Sequence, residues 1–338
     1  MNVSGKYLFP LVFLSTMVSA ACAIGSSDDG QDSLVVYSGR SEELVGPVIG
    51  LFQDATGISI RVKYGGTAEL AATLLEEGNN SPADVYFAQD PGGLAAVVTR
   101  LSKLPNDLLF LVPEAFRSDS GQWIGVSGRA RVVVFNSDAL TVEELPDDIY
   151  DFVDPKWSRR IGWAPTNGSF QAMVTAMRVT WGEDRTRDWL AGIMANHPSL
   201  YAKNTPTVAA VGAGEVEVGF VNHYYLHRFL HEQGMTFPAR NYHPRAGGPG
   251  ALMMVSGAGV LETASNRDVA LRFLEFLVSP TAQQYFVDQT FEYPVIDGIA
   301  TNPLLTPLDE IAAPGIDMSQ LGDLEGTLDL LREVGALP

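Results

Sequence analysis

Two adjacent tyrosines carry the strongest chemical signal in the chain. They lie in Val221-Asn222-His223-Tyr224-Tyr225-Leu226-His227-Arg228, after a buried-looking strand and at the opening of a helix. On a regular strand, neighbouring side chains point to opposite faces. In the first turn of a helix they stand only about 100° apart, so both phenols reach one ion just beyond the helix start. Asn222 is placed as the N-cap, and the positive helix end favours phenolate over phenol. A free phenol titrates near pH ~10. Holding two phenolates at neutral pH therefore takes a strong local positive charge, which a hard trivalent cation such as Fe(III) supplies. The dipeptide alone also describes two packing rings, the commoner case. On the same helix His223, His227 and His231 recur every four residues and share a face. They lack the glutamate of a zinc protease and read as a solvated or partner-facing stripe.

The tyrosines have polar company. Pro165-Thr166-Asn167-Gly168-Ser169-Phe170 puts small polar residues where a strand becomes a helix, a turn that offers backbone N–H groups to an oxyanion. Tyr201-Ala202-Lys203-Asn204-Thr205 adds another amide before a helix. Asn167, Asn204 and Asn222 thus precede three helices, and three helix starts facing one cleft make an anion pocket beside the tyrosines. Arg129 and Arg131 share one face of a regular strand. With Arg40 they suit a planar oxyanion, which a guanidinium grips bidentately. Pairing with a local carboxylate is the competing role. Gly247-Gly248-Pro249-Gly250 matches no nucleotide fingerprint and reads as a hinge loop.

Elements that position these residues follow from the apolar pattern. Leu34–Tyr37 reads as a strand, Ser41–Ala55 as a helix broken or restarted at Gly46-Pro47 and closed by Gly57, and Ile58–Tyr64 as a half-buried strand. Thr67 is placed as the cap of a helix over Ala68–Glu77, closed by Gly78, before a third strand at Ala83–Phe87. That β-α-β-α-β start implies a parallel sheet with helices on its faces. Arg129–Asn136 is a long strand crossing between lobes, and Ala251–Val260 is the return crossing. Between them lie Ile161–Trp163, the helix after Asn167, Ala209–Gly214, a strand at Val216–Phe220, and a helix over Tyr224–Gln233 closed by Gly234. Helices over Arg267–Val278, Pro280–Thr290 and Leu321–Val334 finish the chain. The fold class is α/β, a two-lobed clamshell with two crossing strands and its ligand between the lobes. Lobe 1 is expected over 33–131 plus 256–305, and lobe 2 over 132–255 plus 306–338.

The chain has 338 residues, 22 Lys plus Arg against 40 Asp plus Glu, and a formal charge of −18. That balance argues against a nucleic-acid binder. The mean hydropathy of +0.07 and 46% hydrophobic content suit a packed body. One cysteine, Cys22, allows no internal disulfide and leaves the body without a cysteine nucleophile. No Gly-x-Ser-x-Gly elbow occurs, and no acid pair has a reason to be catalytic, so an extracellular enzyme has little support. Lys6, the apolar run Tyr7–Val18 and Ser19-Ala20-Ala21-Cys22 form a signal peptide over 1–21, too short to span a membrane stably. Cys22 sits as in a lipobox, except that Ser19 stands where leucine is usual. With the polar 22–32 stretch as a tether, it makes a lipidation site; simple secretion is the other outcome. Either way the mature chain works outside the cytoplasm, in the periplasm or at the outer face of the cell membrane.

From Leu34 to Leu337 the sequence resembles the ferric-iron-binding proteins of bacterial ABC importers, within the type II periplasmic binding-protein fold. The resemblance rests on Val36-Tyr37-Ser38-Gly39-Arg40, Glu76-Glu77-Gly78, Ser81-Pro82-Ala83-Asp84-Val85, Ser127-Gly128-Arg129 with Arg131-Val132-Val133-Val134, the Pro165–Phe170 turn, Lys203-Asn204-Thr205, Asn222-His223-Tyr224-Tyr225, Pro249-Gly250-Ala251-Leu252 and Glu292-Tyr293-Pro294. It implies Fe(III) on Tyr224 and Tyr225, and a synergistic anion (carbonate or phosphate) on Asn167, Gly168, Ser169, Asn204 and Asn222. Family members also supply a first-lobe histidine and glutamate. Here Ser41 and Gln89 fall at those positions, and neither is a good ferric ligand. Tyr37 and Tyr201 are the candidate replacements, with Arg40, Arg129 and Arg131 completing the anion site. The resemblance further implies a monomer that delivers iron to an ABC permease and its ATPase. The alternative keeps the fold and binds an oxyanion, phosphonate or small organic acid without metal.

Overall fold

The computed structural model describes residues 33–316 and 318–338, together with Met1. The signal peptide, Cys22 and the tether lie outside the described residues. The first half of the chain forms β1 (Ser33–Ser38), α1 (Glu42–Thr56), β2 (Ser59–Tyr64), α2 (Thr67–Glu77), β3 (Val85–Ala88), the short α3 (Pro91–Ala96) and α4 (Asn106–Leu109), and the thirteen-residue β4 (Ile124–Asn136). Then come β5 (Ile161–Trp163), α5 (Gly168–Trp181), α6 (Glu183–Ala195), β6 (Ser199–Leu200), α7 (Asn204–Gly212), β7 (Val218–Asn222), α8 (Tyr224–Gln233) and β8 (Ala239–Tyr242). The chain ends in β9 (Met253–Val260), α9 (Arg267–Leu277), α10 (Pro280–Gln289) and α11 (Leu324–Glu333).

β1 runs parallel to both β2 and β3, as the opening alternation of strand and helix requires. The sheet order among the described residues is β2-β1-β3-β9-β4-β7-β5-β6, with β8 on β4. β3, β4, β7 and β9 are buried at every position, the mark of central strands covered on both faces, whereas β2 alternates as a half-exposed edge. β4 joins the halves. Its first part, Ile124–Ala130, pairs with β9, and Arg131–Phe135 pairs with β7. Arg129 and Arg131 therefore straddle the switch between partners. One apolar core gathers Val36, Phe52, Phe87 and Phe273; another gathers Phe152, Trp163, Trp189 and Phe220. Ile316, Met318 and Leu321 pack into the first, while Leu330 and Leu331 on α11 pack into the second.

Four local expectations are corrected. α1 is unbroken through Pro47. The missing N–H would have bonded the carbonyl of Glu43, an exposed residue in the helix's first turn, where solvent can reach that carbonyl. Thr67 opens α2 rather than capping it; Gly66 is the cap, and the Thr67 hydroxyl accepts the Gln89 N–H at 3.1 Å. The last helix begins at Leu324, because Asp323 caps it by accepting the Gly326 N–H at 3.1 Å. The Gly247–Gly250 segment is no loose loop. Gly248–Ala251 forms a 3-10 turn so close to Ile149 that a Cβ on Gly250 would lie 2.7 Å from it.

Candidate functional site

β7 ends at Asn222, His223 already has helical dihedrals, and Tyr224 and Tyr225 open α8. Asn222 is thus the last strand residue and not an N-cap: its Nδ2 donates to Ser169 Oγ at 3.0 Å, and its Oδ1 accepts from Arg131 Nη1 at 3.0 Å. His223 is fixed instead by its ring. Nδ1 accepts the Ala130 N–H at 3.1 Å, and Nε2 donates to the Phe291 carbonyl at 2.7 Å. The histidine stripe is corrected accordingly: His223 and His227 are buried, His227 stacks on Phe291 at 4.9 Å, and His231 alone of the three is exposed.

The tyrosine rings stack with centroids 4.3 Å apart, as neighbours on one helical turn allow. Tyr225 lines a cleft of about 1050 Å³, whereas Tyr224 is fully buried. Its hydroxyl has no hydrogen-bond partner among the described residues. Burial, then the Tyr225 charge, pushes the Tyr224 phenol well above its usual range, and Arg40 and Arg129 oppose that push. Two guanidiniums therefore lie within electrostatic reach of this phenol, although burial still decides the direction. Without a cation in the cleft the phenol stays protonated at neutral pH.

Three buried guanidiniums surround it. Arg40, from the β1–α1 turn, makes a two-point ion pair with Glu292, both bonds 2.8 Å, so the carboxylate role fits this arginine. Arg129 is different: Nε, Nη1 and Nη2 are all buried without a hydrogen-bond partner among the described residues. Arg131 has only its bond to Asn222, with Nε and Nη2 unpartnered. Burial, and for Arg129 the nearby Arg40, lowers both; Arg131 is pulled down to about 9. A guanidinium keeps its proton in proteins, so this downward push is an electrostatic cost awaiting a counter-charge. Three guanidiniums face two carboxylates, Glu292 and Asp90, leaving one positive charge. Fe(III) on two phenolates would add another, and a dianion would cancel both.

The helix-start turn is built as the sequence suggests. Asn167 caps α5 by accepting the Ser169 N–H at 3.0 Å, and Asn204 Nδ2 reaches Asn167 Oδ1 at 3.5 Å. Ser169 Oγ also accepts from Gln89 Nε2 at 3.4 Å. A polar chain thus runs from Arg131 through Asn222 and Ser169 to Gln89. Ser41 and Gln89 both line the cleft. Tyr37 and Tyr201 do not. The Tyr37 hydroxyl donates to Glu77 at 2.8 Å, and burial with that carboxylate raises it to about 12. The Tyr201 phenol, partly buried against the β5 side at Gly162, rises in the same direction, through burial and then Glu215. Both proposed replacements are therefore corrected, since each side chain is committed elsewhere. Sequence reading assigns no site role to Glu292, Asp90 or Thr67. Glu292 was visible as an acid flanked by Phe291 and Tyr293, but its partner Arg40 lies 252 positions away.

Residues 86–314 match the family model described as bacterial extracellular solute-binding protein. The chain is 32% identical over 327 residues to the major ferric iron-binding protein of Neisseria meningitidis, covering 93% of this chain and 96% of that one. It is similar to iron-bound HitA from Pseudomonas aeruginosa, with a TM-score of 0.86, 34% identity, and coverage of 90% and 99%. It is also similar to a Trichodesmium protein in complex with iron and citrate, at a TM-score of 0.78, 28% identity, and coverage of 90% and 99%.

Proposed function

The chain belongs to the family of bacterial extracellular solute-binding proteins, among the relatives of the ferric-iron-binding proteins, and from that premise we propose that it captures Fe(III) together with an anion and delivers it to an ABC permease and its ATPase. One observation carries this reading: the stacked Tyr224–Tyr225 pair at the start of α8, with the Tyr224 hydroxyl buried, unpartnered and electrostatically coupled to Arg40 and Arg129. Fe(III) displaces both phenol protons and takes two phenolate oxygens. A dianion such as carbonate on Arg129 and Arg131 fills further coordination positions and restores neutrality. The Arg131–Asn222–Ser169–Gln89 chain ties the tyrosine side of the cleft to β3, so occupancy is felt on both walls. Delivery follows when the permease recognises the loaded population. The reading includes a monomer held outside the cytoplasm, with Cys22 as its lipid anchor.

The test is to add ferric salt and bicarbonate to the apo protein and record the visible spectrum. A phenolate-to-iron charge-transfer band is expected, and changing both tyrosines to phenylalanine abolishes it. A second reading, an oxyanion or small organic acid bound without metal, is favoured by the unpartnered Arg129. It replaces the first if wild-type protein gives no band while an anion still binds by calorimetry.

A further inference from the structure

Asp90 follows Gln89 directly and belongs to the opposite cleft wall from α5. Its Oδ1 accepts the Gly93 N–H at 3.0 Å, which caps α3. Its Oδ2 lies 3.2 Å from the point that a Cβ on Gly168 would occupy, and Gly168 is the first residue of α5. A carboxylate oxygen of this chain therefore stands against the helix start where the resemblance puts the exogenous anion. The side chain is 8% exposed and forms part of the cleft wall. A carboxylate is well placed at the positive end of a helix, but a second anion in the same space meets a like charge. Meanwhile Arg129, fully buried, keeps all three nitrogens unpartnered within the electrostatic reach of both Asp90 and Tyr224.

We infer that Asp90 is a built-in occupant of the α5 helix start. It confines the exogenous anion to the guanidiniums of Arg129 and Arg131, and so selects a planar dianion over phosphate. Only the link to iron rests on the proposed function. A planar oxyanion fits a guanidinium edge with two parallel bonds. A tetrahedral phosphate offers more oxygens than that edge uses and needs a further donor at the helix start, beside Gly168, which Asp90 guards.

Asp90→Asn is the variant that tests this, because asparagine is an equally good N-cap and keeps α3 intact. Two readouts are taken on full-length protein: calorimetry of the apo form with inorganic phosphate or bicarbonate, and the ferric charge-transfer band with each anion. Wild-type protein is expected to form the band with bicarbonate and poorly with phosphate. In the variant, phosphate binding to the apo form tightens by at least about tenfold more than bicarbonate binding does. The variant also forms the band with phosphate. Equal support by both anions in wild-type protein overturns the inference, as does unchanged phosphate binding in the variant. Weaker phosphate binding in the variant overturns it too, because Asp90 would then be accepting the proton of a hydrogen phosphate. If no band forms with either anion, the ferric reading fails, and the calorimetric phosphate shift still decides the role of Asp90.

Discussion

At the scale of single residues, the decisive fact about Tyr224 is that its hydroxyl is buried without a partner. Such a group costs about 1–3 kcal/mol relative to a satisfied one. Tyr224→Phe should therefore leave the apo protein at least as stable in urea titration while removing the ferric band; a large loss of stability would show that the hydroxyl has a structural role. Arg129 carries the same argument with a charge. Replacing it by methionine removes a buried guanidinium that has no hydrogen bonds, and should stabilise the apo protein by about 1–4 kcal/mol. The same change should abolish the dependence of the ferric band on bicarbonate. Lower apo stability would mean that Arg129 chiefly neutralises Asp90. The tyrosine pair, Asn167, Asn204 and the arginines were all legible in the sequence, because strand-to-helix turns betray where a side chain starts. The partners were not. That Arg40 meets Glu292 while Arg129 finds no hydrogen-bond partner among the described residues depends on residues brought together from opposite ends of the chain.

At the scale of elements, the alternation of apolar runs with Gly57, Gly78 and Gly234 stops predicts β1, α1, β2, α2, β3, β4, β5, α5, β7 and α8 in the order the structure keeps, and leaves α3, α4, α6 and β6 unread. Periodicity is a local signal, so it fails where a distant bond decides. Thr67 looks like a cap until Gln89 claims its hydroxyl. Asn222 looks like a cap until Ser169 and Arg131 claim both ends of its amide. Asn167 is the cap that the structure keeps, and α5 depends on it. Asn167→Ala should cost about 0.5–2 kcal/mol of stability. Asn167→Ser, which retains an oxygen for the Ser169 N–H, should recover most of that. The two variants differ from wild type in a second way, because Asn204 Nδ2 loses its acceptor in the alanine form. Urea unfolding reads the cap, and anion titration reads whether the displaced Asn204 amide matters to binding.

At the scale of the whole molecule, two sets of titrating groups make behaviour depend on pH, and they act in separable ways. His223 and His227, at and on α8, lie within electrostatic reach of His243, and each of the three is lowered by burial first; the neighbouring imidazoles add to it for His223 and His227. The groups facing His223 are the Ala130 N–H, the Phe291 carbonyl, His227, His243 and the rings of Tyr224 and Tyr293, with no carboxylate among them. His227 and His243 fall to about 4 in the folded chain, against about 6.5 when unfolded. Between those values the unfolded chain binds more protons than the native one, so stability is complete above the upper value and drains away as pH falls toward the lower. Each histidine contributes up to about 1.4 kcal/mol per pH unit in that window. Urea midpoints of the apo protein should therefore drop steeply from pH 7 to pH 5, and His227→Gln with His243→Asn should flatten the slope. A slope unchanged in the double variant would assign the acid loss to carboxylates instead. Ferric binding follows a different rule, because a phenol that ligates the ion gives up its proton to do so. Its apparent affinity should rise by about two protons' worth per pH unit, over a range where the histidines are already neutral. Measured from pH 6.5 to 8 at fixed carbonate activity, a dependence of one proton would mean that only one of Tyr224 and Tyr225 ligates the ion. A two-proton dependence that survives the histidine substitutions would separate cargo capture from acid unfolding within one molecule.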